Sequence, residues 1–373
     1  MTLFDRWTES LDGLKAQGRF RALRLPRGID FTSNDYLGYG NGRLRSPHQP
    51  ELATTGLASR LLRGHHPIWD EVEASLAKWH RAESVLVMNS GFTANEGLIS
   101  TVVEPGDWVA SDELNHACIV EGLRICRPRK FAFRHNDLQH LEDGLKSESE
   151  KRPPGREMFI ITESVFSMDA DRAPLAQIVE LAERYGAHVI VDEAHSTGCF
   201  GPAGSGVVDQ LNLRSHVLAT VHTGGKALGV TGAYVCCSPL LRDYLVNKCR
   251  HLIFTTALPP AIGPWWLDML PKVQGDDRGR QQLHENTTHF RTALAKRSIP
   301  TLGDTYVVPV VLGDDSRAVR AATHLQEKGY DIRAIRPPSV PQGTARLRIS
   351  IHADHAPELL DQLADHVTEA IRG

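Results

Sequence analysis

The sequence predicts a large, mostly parallel α/β domain followed by a smaller α+β domain, and three observations predict it. Short β-branched runs alternate with amphipathic helical stretches from about residue 45 to residue 237, as in parallel strands joined by crossover helices. The texture changes over 259–281, where PPAIGP and KVQGDDRGRQQ interrupt that alternation. At 373 residues the chain also exceeds the usual domain size of about 150 residues. The expected layout is an N-terminal helix and connector over 1–44, a large domain over 45–265 and a small one over 266–373.

Each element has its own signal. Leu3, Trp7, Leu11 and Leu14 recur at helical spacing. A Gly/Pro/Arg-rich connector then leads to FTSNDYLGYG. PIWDEVEASLAKWH reads as a helix, SVLVMN as a buried strand and TANEGLISTVV as a helix. WVASD and KFAFR are strand candidates, DLQHLEDGLKSE a helix and MFIITES a strand. PLAQIVELAERYG and HVIVDE form the next helix and strand, and VLATV and AYVCC add two strands. The C-terminal part alternates QQLHENTTHFRTALAKR, YVVPVVL, AVRAATHLQEKG, RLRISI and PELLDQLADHVTEAIR. A cleft between the two predicted domains is the expected place for a ligand.

Composition narrows the function. Hydrophobic residues at 41%, charged residues at 23% and a net charge of −3 suit a soluble globular protein and give no reason to expect nucleic acid or an anionic membrane as partner. Arg124, Arg127, Arg129 and Lys130 cluster locally; the cluster reads as a solvated helix end, with an anion landing site as the sharper alternative. The six cysteines form no C-x-x-C pair and several sit in apolar runs, which fits a reducing cytosol. No apolar stretch approaches the roughly 20 residues that cross a bilayer, so the expected location is cytoplasmic.

Several signatures fail. GGKA at 224–227 has Thr220 where a Walker A loop needs glycine, and Ala227 where it needs a hydroxyl. LGYGNGR has Arg43 in place of the third glycine of a dinucleotide fingerprint. NSGF has Met88 at the first glycine of G-x-S-x-G, and HENTTH is one residue too long for H-E-x-x-H. No metal site is expected.

One constellation remains. The strand AHVIVDEAH brings Asp192 and His195 to a strand end, and VLATVHTGGK brings Thr223 and Lys226 to another. Ligands bind outside the carboxyl ends of strands in open α/β sheets. An amine that can form an imine and a carboxylate for a pyridinium nitrogen are the two demands of pyridoxal 5'-phosphate (PLP). The glycine pair before Lys226 gives a tight turn and room for a planar ring.

ASRLLRGHHPIWDEVE, NSGFTAN, DELNHA, TESVFSMDAD, VDEAHSTG, TGGKALGVTGA and IRPPSVPQGTARLRIS occur in that order. Carried on these motifs, the chain resembles the α-oxoamine synthases of the fold-type I PLP superfamily, from SNDYLG at 33–38 to the last helix. The resemblance implies that Lys226 is the Schiff-base lysine and that Asp192 pairs with the ring nitrogen. It implies that His195 and Ser167 contact the cofactor, and that His116 stacks on the ring. Thr223 with Gly91 and Phe92 would hold the phosphate; independently, SGFTAN opens a predicted helix, whose N-terminus favours an anion. Thr255 and Thr256 match a segment that reaches the neighbouring subunit's phosphate, which implies an obligate homodimer.

For the substrates, Arg348 matches the arginine that binds the amino-acid carboxylate. RLRISI alternates, so Leu347, Ile349 and Ile351 face a core while Arg346 and Arg348 share the other face. Ser339 stands where threonine is usual, and Arg21 matches an N-terminal substrate contact, with Arg19 and Arg24 as alternatives. The implied reaction is decarboxylative condensation of an amino acid, alanine, with an acyl thioester on coenzyme A or acyl carrier protein. IRPPSVPQGTARLR looks most like the pimeloyl-using branch, with other α-oxoamine synthases as rivals. A non-catalytic scaffold is disfavoured, because Lys226, Asp192, His116 and His195 are all kept. Departures fall at Thr54, Thr55 and Leu57, at His65 in place of asparagine, at the added Gly224, and at Ala170 where glycine is frequent.

Overall fold

The computed structural model describes residues 2–16, 20, 23, 52–337 and 339–372. The described residues fall into two compact units, Met1–Ser164 with Pro174–Gly275, and Val165–Ala173 with Asp276–Gly373.

The first unit is built on a seven-stranded sheet. Its strands are β1 (Ser84–Met88), β2 (Trp108–Asp112), β3 (Arg129–Phe133), β4 (Met158–Glu163), β5 (His188–Asp192), β6 (Ala219–Thr223) and β7 (Ala233–Cys237), in the order β1-β7-β6-β5-β4-β2-β3. The pairs from β6 to β3 are parallel, and β7 runs antiparallel to both β6 and β1. The helices are α1 (Leu3–Ala16), α2 (Pro67–Trp79), α3 (Gly91–Val102), α4 (Ala117–Cys126), α5 (Leu138–Ser149), α6 (Leu175–Tyr185), α7 (Val207–Gln210), α8 (Pro239–Lys248), α9 (Arg250–Ile253) and α10 (Gly263–Gly275).

Strands covered on both faces bury every side chain, and a period of two assigns alternate residues to two cores. Ala233, Val235 and Cys237 of β7 join Leu98 and Ile99 of α3 and Ile119 and Leu123 of α4 in one core. Tyr234 and Cys236 join Trp69 and Leu76 of α2 and Trp266 of α10 in the other. Helix α1 docks by Trp7, which stacks on Tyr244 with ring centroids 5.3 Å apart.

The second unit is an antiparallel sheet of β8 (Val307–Gly313), β9 (Arg333–Ile335) and β10 (Ala345–Ser350) in the order β8-β10-β9. Helices α11 (Asp277–Lys296), α12 (Asp315–Glu327) and α13 (Pro357–Arg372) cover it. Leu347 and Ile349 face a core with Phe290, Leu325 and Val367, as the alternation in RLRISI predicts. On the opposite face Arg346 is itself buried, ion-paired with Asp169 and donating to the Met168 carbonyl at 3.0 Å.

Candidate active site

Three neighbouring parallel strands end in polar side chains that are candidates for the site: β4 in Glu163, β5 in Asp192 and β6 in Thr223. Glu163 and Asp192 are register partners across β4 and β5, so their side chains leave the sheet on the same face. Asp192 is 5% exposed, and its carboxylate accepts from Asn95 Nδ2 at 2.7 Å and from the Ala194 N–H at 2.8 Å. Asn95 is buried on α3, so the helix that opens at Gly91 also orients the acid.

That opening is a capping box: Ser90 Oγ accepts the Thr93 N–H, and Thr93 Oγ1 accepts the Ser90 N–H. The first N–H groups of a helix have no partner within it, and this box leaves those of Gly91 and Phe92 for an anion. Gly91 sits against Thr223: a Cβ there would stand 3.4 Å from Thr223 Cβ and 3.5 Å from Oγ1. The two phosphate candidates are therefore adjacent.

Lys226 is exposed in the turn after β6, and its carbonyl accepts the Gly229 N–H at 3.1 Å. The glycine pair before it divides the work. A Cβ at Gly224 would meet the Val230 carbonyl at 2.5 Å and Trp266 at 2.6 Å, so this glycine serves close packing. At Gly225 the nearest atom is Thr223 Oγ1 at 4.0 Å, which leaves open space beside the lysine.

His116 is the exposed N-cap of α4. Its N–H donates to Glu163 Oε1 at 2.6 Å, and its Nδ1 accepts the Cys118 N–H at 3.2 Å. Burial holds the His116 pKa below its ordinary value, Lys226 acts in the same direction, and Asp192 opposes them. Burial and the neighbouring Asp192 push the Glu163 carboxyl well above the usual carboxylate range. Acid, amine and imidazole thus feel one another. His195 is half-buried three residues beyond Asp192. Thr255 and Thr256 follow α9, where the Thr256 carbonyl accepts from Asn89 at 2.7 Å.

Ser167, Ser339 and Arg348 belong to the second unit. Arg348 on β10 is half-buried; its Nε donates to the Ser167 carbonyl at 2.9 Å and its Nη1 to Ser350 Oγ at 3.1 Å. Its Nη2 has no hydrogen bond among the described residues, whereas Arg346 spends its guanidinium on Asp169 and main-chain carbonyls. Ser339 is exposed. Arg21, with Arg19 and Arg24, lies outside the described residues.

The departures keep local geometry at a cost. Leu57 and Ala170 adopt φ of 59° and 61°, a region that favours glycine. His65 is buried, with Nδ1 3.1 Å from Arg60 and Nε2 3.3 Å from Asp70. The basic cluster after α4 is largely neutralised locally, Arg124 by Glu121 at 2.6 Å and Arg129 by Glu148 at 2.7 Å.

These groups fit PLP. A buried acid held by Asn95 suits a ring nitrogen, the Gly91–Thr223 cradle suits a phosphate, and open space beside Lys226 suits an aldehyde carbon. The residue-by-residue reading missed Asn95, Glu163 and Cys118. Asn95 had a signal: it is the polar residue on the otherwise apolar buried face of α3, four residues after Gly91.

The aminotransferase class I and II family model matches residues 26–367. A putative 8-amino-7-oxononanoate synthase of Geobacillus kaustophilus is 42% identical over 92% of this chain and 88% of its own length. An 8-amino-7-oxononanoate synthase of Chlorobaculum parvum is 42% identical over 90% and 88%. Among solved structures, serine palmitoyltransferase from S. paucimobilis with a bound PLP–myriocin aldimine superposes with a TM-score of 0.82 at 27% identity, covering 99% of this chain and 97% of that one. An 8-amino-7-oxononanoate synthase from Francisella tularensis gives 0.72 at 26% identity, covering 82% and 88%.

Proposed function

The chain belongs to the aminotransferase class I and II family, and from that membership we propose that it is a PLP-dependent acyltransferase of biotin biosynthesis. The reaction is that named by its relatives, formation of 8-amino-7-oxononanoate, here from alanine and a pimeloyl thioester carried on coenzyme A or acyl carrier protein. The reading is supported by the placement of Asp192 and Thr223 at the carboxyl ends of the adjacent parallel strands β5 and β6, with Lys226 in the turn that follows β6.

Bound PLP supplies an electron-withdrawing ring that stabilises negative charge at the substrate Cα. Lys226 would tether the cofactor through its amine and would serve as the base for the substrate Cα proton. Asp192, fixed by Asn95 and the Ala194 N–H, keeps a proton on the ring nitrogen. Thr223 and the N–H groups of Gly91 and Phe92 bind the phosphate, and His195 and Ser167 hold the remaining polar edge. Arg348, whose Nη2 has no hydrogen bond among the described residues, would bind the substrate carboxylate, with Ser339 and Arg21 as further substrate contacts. His116 donates to the oxygen of the acyl carbonyl as charge develops there. The substrate Cα would bond to the acyl carbon as the carbon–sulfur bond breaks and the thiolate leaves; the carboxylate would then depart as CO2, and the proton held by Lys226 would return to Cα.

Thr255 and Thr256 reach the site of a second copy, and the exposed Phe92 and Phe254 (43% and 69%) support a homodimer. Six free cysteines support a reducing, cytoplasmic location. No helix among the described residues is long and apolar enough to cross a membrane.

The higher TM-score with serine palmitoyltransferase favours one rival, condensation of serine with a long-chain thioester. Pimeloyl, acetyl, succinyl and palmitoyl thioesters tested against alanine, glycine and serine decide the matter. Highest kcat/KM for pimeloyl thioester with alanine is expected, and a better palmitoyl–serine pair replaces this reading with the rival. Lys226→Ala is expected to lose both turnover and the visible absorbance of lysine-bound cofactor; retained turnover overturns the assignment of the amine.

A further inference from the structure

His116 is held at two points, its imidazole by Cys118 and its main chain by Glu163. Its Nδ1 accepts the Cys118 N–H at 3.2 Å, and Cys118 Sγ lies 2.9 Å from the same nitrogen. A main-chain N–H can only donate, so Nδ1 carries a lone pair, and the proton of the neutral ring sits on Nε2. The main-chain N–H of His116 donates to Glu163 Oε1 at 2.6 Å, a carboxyl only 3% exposed at the end of β4. Cys118 is the second residue of α4, where an N–H has no partner inside the helix and is available for this bond.

We propose that Cys118 is a positioning residue that holds His116 as its Nε2–H tautomer, with Glu163 anchoring the main chain that carries the ring, so that the ring offers the acyl carbonyl a neutral hydrogen-bond donor. The inference deepens the proposed function and rests on its placement of His116 over the cofactor ring. The surrounding charges suit such a donor. Partial desolvation of the ring and Lys226 hold the His116 pKa below its ordinary value against the pull of Asp192, which favours the uncharged ring. Burial raises the Cys118 thiol, with Asp192 and Glu163 adding to it, so its sulfur keeps the proton that it turns toward Nδ1. A neutral donor also places no second cation beside Lys226, which must lose a proton to act as base.

The tautomer is read directly from long-range 1H–15N correlations of histidine-labelled protein, with the His116 signal assigned by its loss in His116→Gln. Wild type is expected to show a neutral Nε2–H ring at neutral pH. Cys118→Ala removes the thiol and leaves the main-chain N–H as the remaining donor to Nδ1, so it is expected to admit a minor Nδ1–H population and lower kcat by up to roughly tenfold, less than the roughly 100-fold or more that loss of an oxyanion donor costs. The KM for the amino acid is expected to stay unchanged, and Cys118→Ser, which keeps a donor at the same place, restores the wild-type state. Glu163→Gln retains the acceptor for the main-chain N–H of His116 and is expected to behave as wild type, whereas Glu163→Ala frees the main chain at the cap and is expected to lower kcat. A wild-type ring that is Nδ1–H or cationic overturns the proposal, as does Cys118→Ala with unchanged tautomer and kcat. The tautomer can be measured with or without cofactor. A missing lysine-bound absorbance in wild type therefore counts against the placement over PLP and leaves the tautomer result to stand on its own.

Discussion

Glu193 follows Asp192 in sequence and is wholly buried, yet it takes no part in the proposed chemistry. Its Oε1 accepts the Val207 and Val208 N–H groups at 2.7 and 3.0 Å and the Ser196 hydroxyl at 2.9 Å, while Oε2 is buried without a partner. A Cβ at Gly206 would stand 2.5 Å from that oxygen, and Gly206 holds φ +108°, so glycine is required there on both counts. Burial pushes the Glu193 carboxyl up to about 7. A raised folded pKa means that its stabilisation is full below the unfolded value of 4.5 and is lost as pH rises through about 7. Glu193→Gln keeps the acceptor and never ionises. Urea unfolding across that window is expected to show the variant gaining roughly 3 kcal/mol on wild type between acidic and mildly alkaline pH. Parallel stability curves exclude the ionisation.

At the scale of elements, α4 ends on Arg127 in the left-handed conformation, φ 50° and ψ 54°, with its N–H on the Leu123 carbonyl. The side chain is exposed, so replacing it sacrifices little packing. Arg127→Gly is therefore expected to stabilise the fold by about 0.5–1 kcal/mol, the relief of left-handed strain less the extra freedom of the unfolded chain; a lowered thermal midpoint contradicts that account. Helix α4 also marks how far elements could be read. Strands such as HVIVDE and MFIITES announce themselves by β-branched runs, and α2 and α13 by periodicity. ACIVEGLRIC, by contrast, buries Cys118, Ile119, Gly122, Leu123 and Cys126 at helical spacing, but two cysteines and a glycine weaken that face's apolar signal, and its cap, His116, is unusual in a histidine. Helix α10 was obscured by the glycines and prolines of PPAIGP and by Pro271 within it. The same limit applied to the site. Asp192, Thr223 and Lys226 were legible because each stands at or just past a strand end. Glu163 and Cys118 act through main-chain N–H groups, and no spacing rule reveals such a partner.

At the scale of the whole molecule, the placement of aromatic residues offers a test of the cofactor cradle. All six tryptophans, Trp7, Trp69, Trp79, Trp108, Trp265 and Trp266, lie in the first unit, as do Gly91, Asp192, Thr223 and Lys226. Trp266 packs directly on Gly224, two residues before the lysine. Tryptophan fluorescence therefore reports the melting of the unit that holds the cradle. A ligand bound only by the native state adds about 2.7 kcal/mol at 100 times its Kd, which corresponds to about 5 °C or more in a unit of this size. Adding PLP to cofactor-stripped protein is expected to raise the fluorescence midpoint by that amount. Lys226→Ala retains Asp192 and the phosphate contacts but loses the covalent tether, so the same PLP concentration is expected to give a smaller rise. Inorganic phosphate alone, filling only the Gly91–Thr223 end, is expected to give less again. A midpoint unmoved by PLP in the wild-type protein removes the cradle from this unit, and equal shifts for wild type and Lys226→Ala remove the lysine from the cradle.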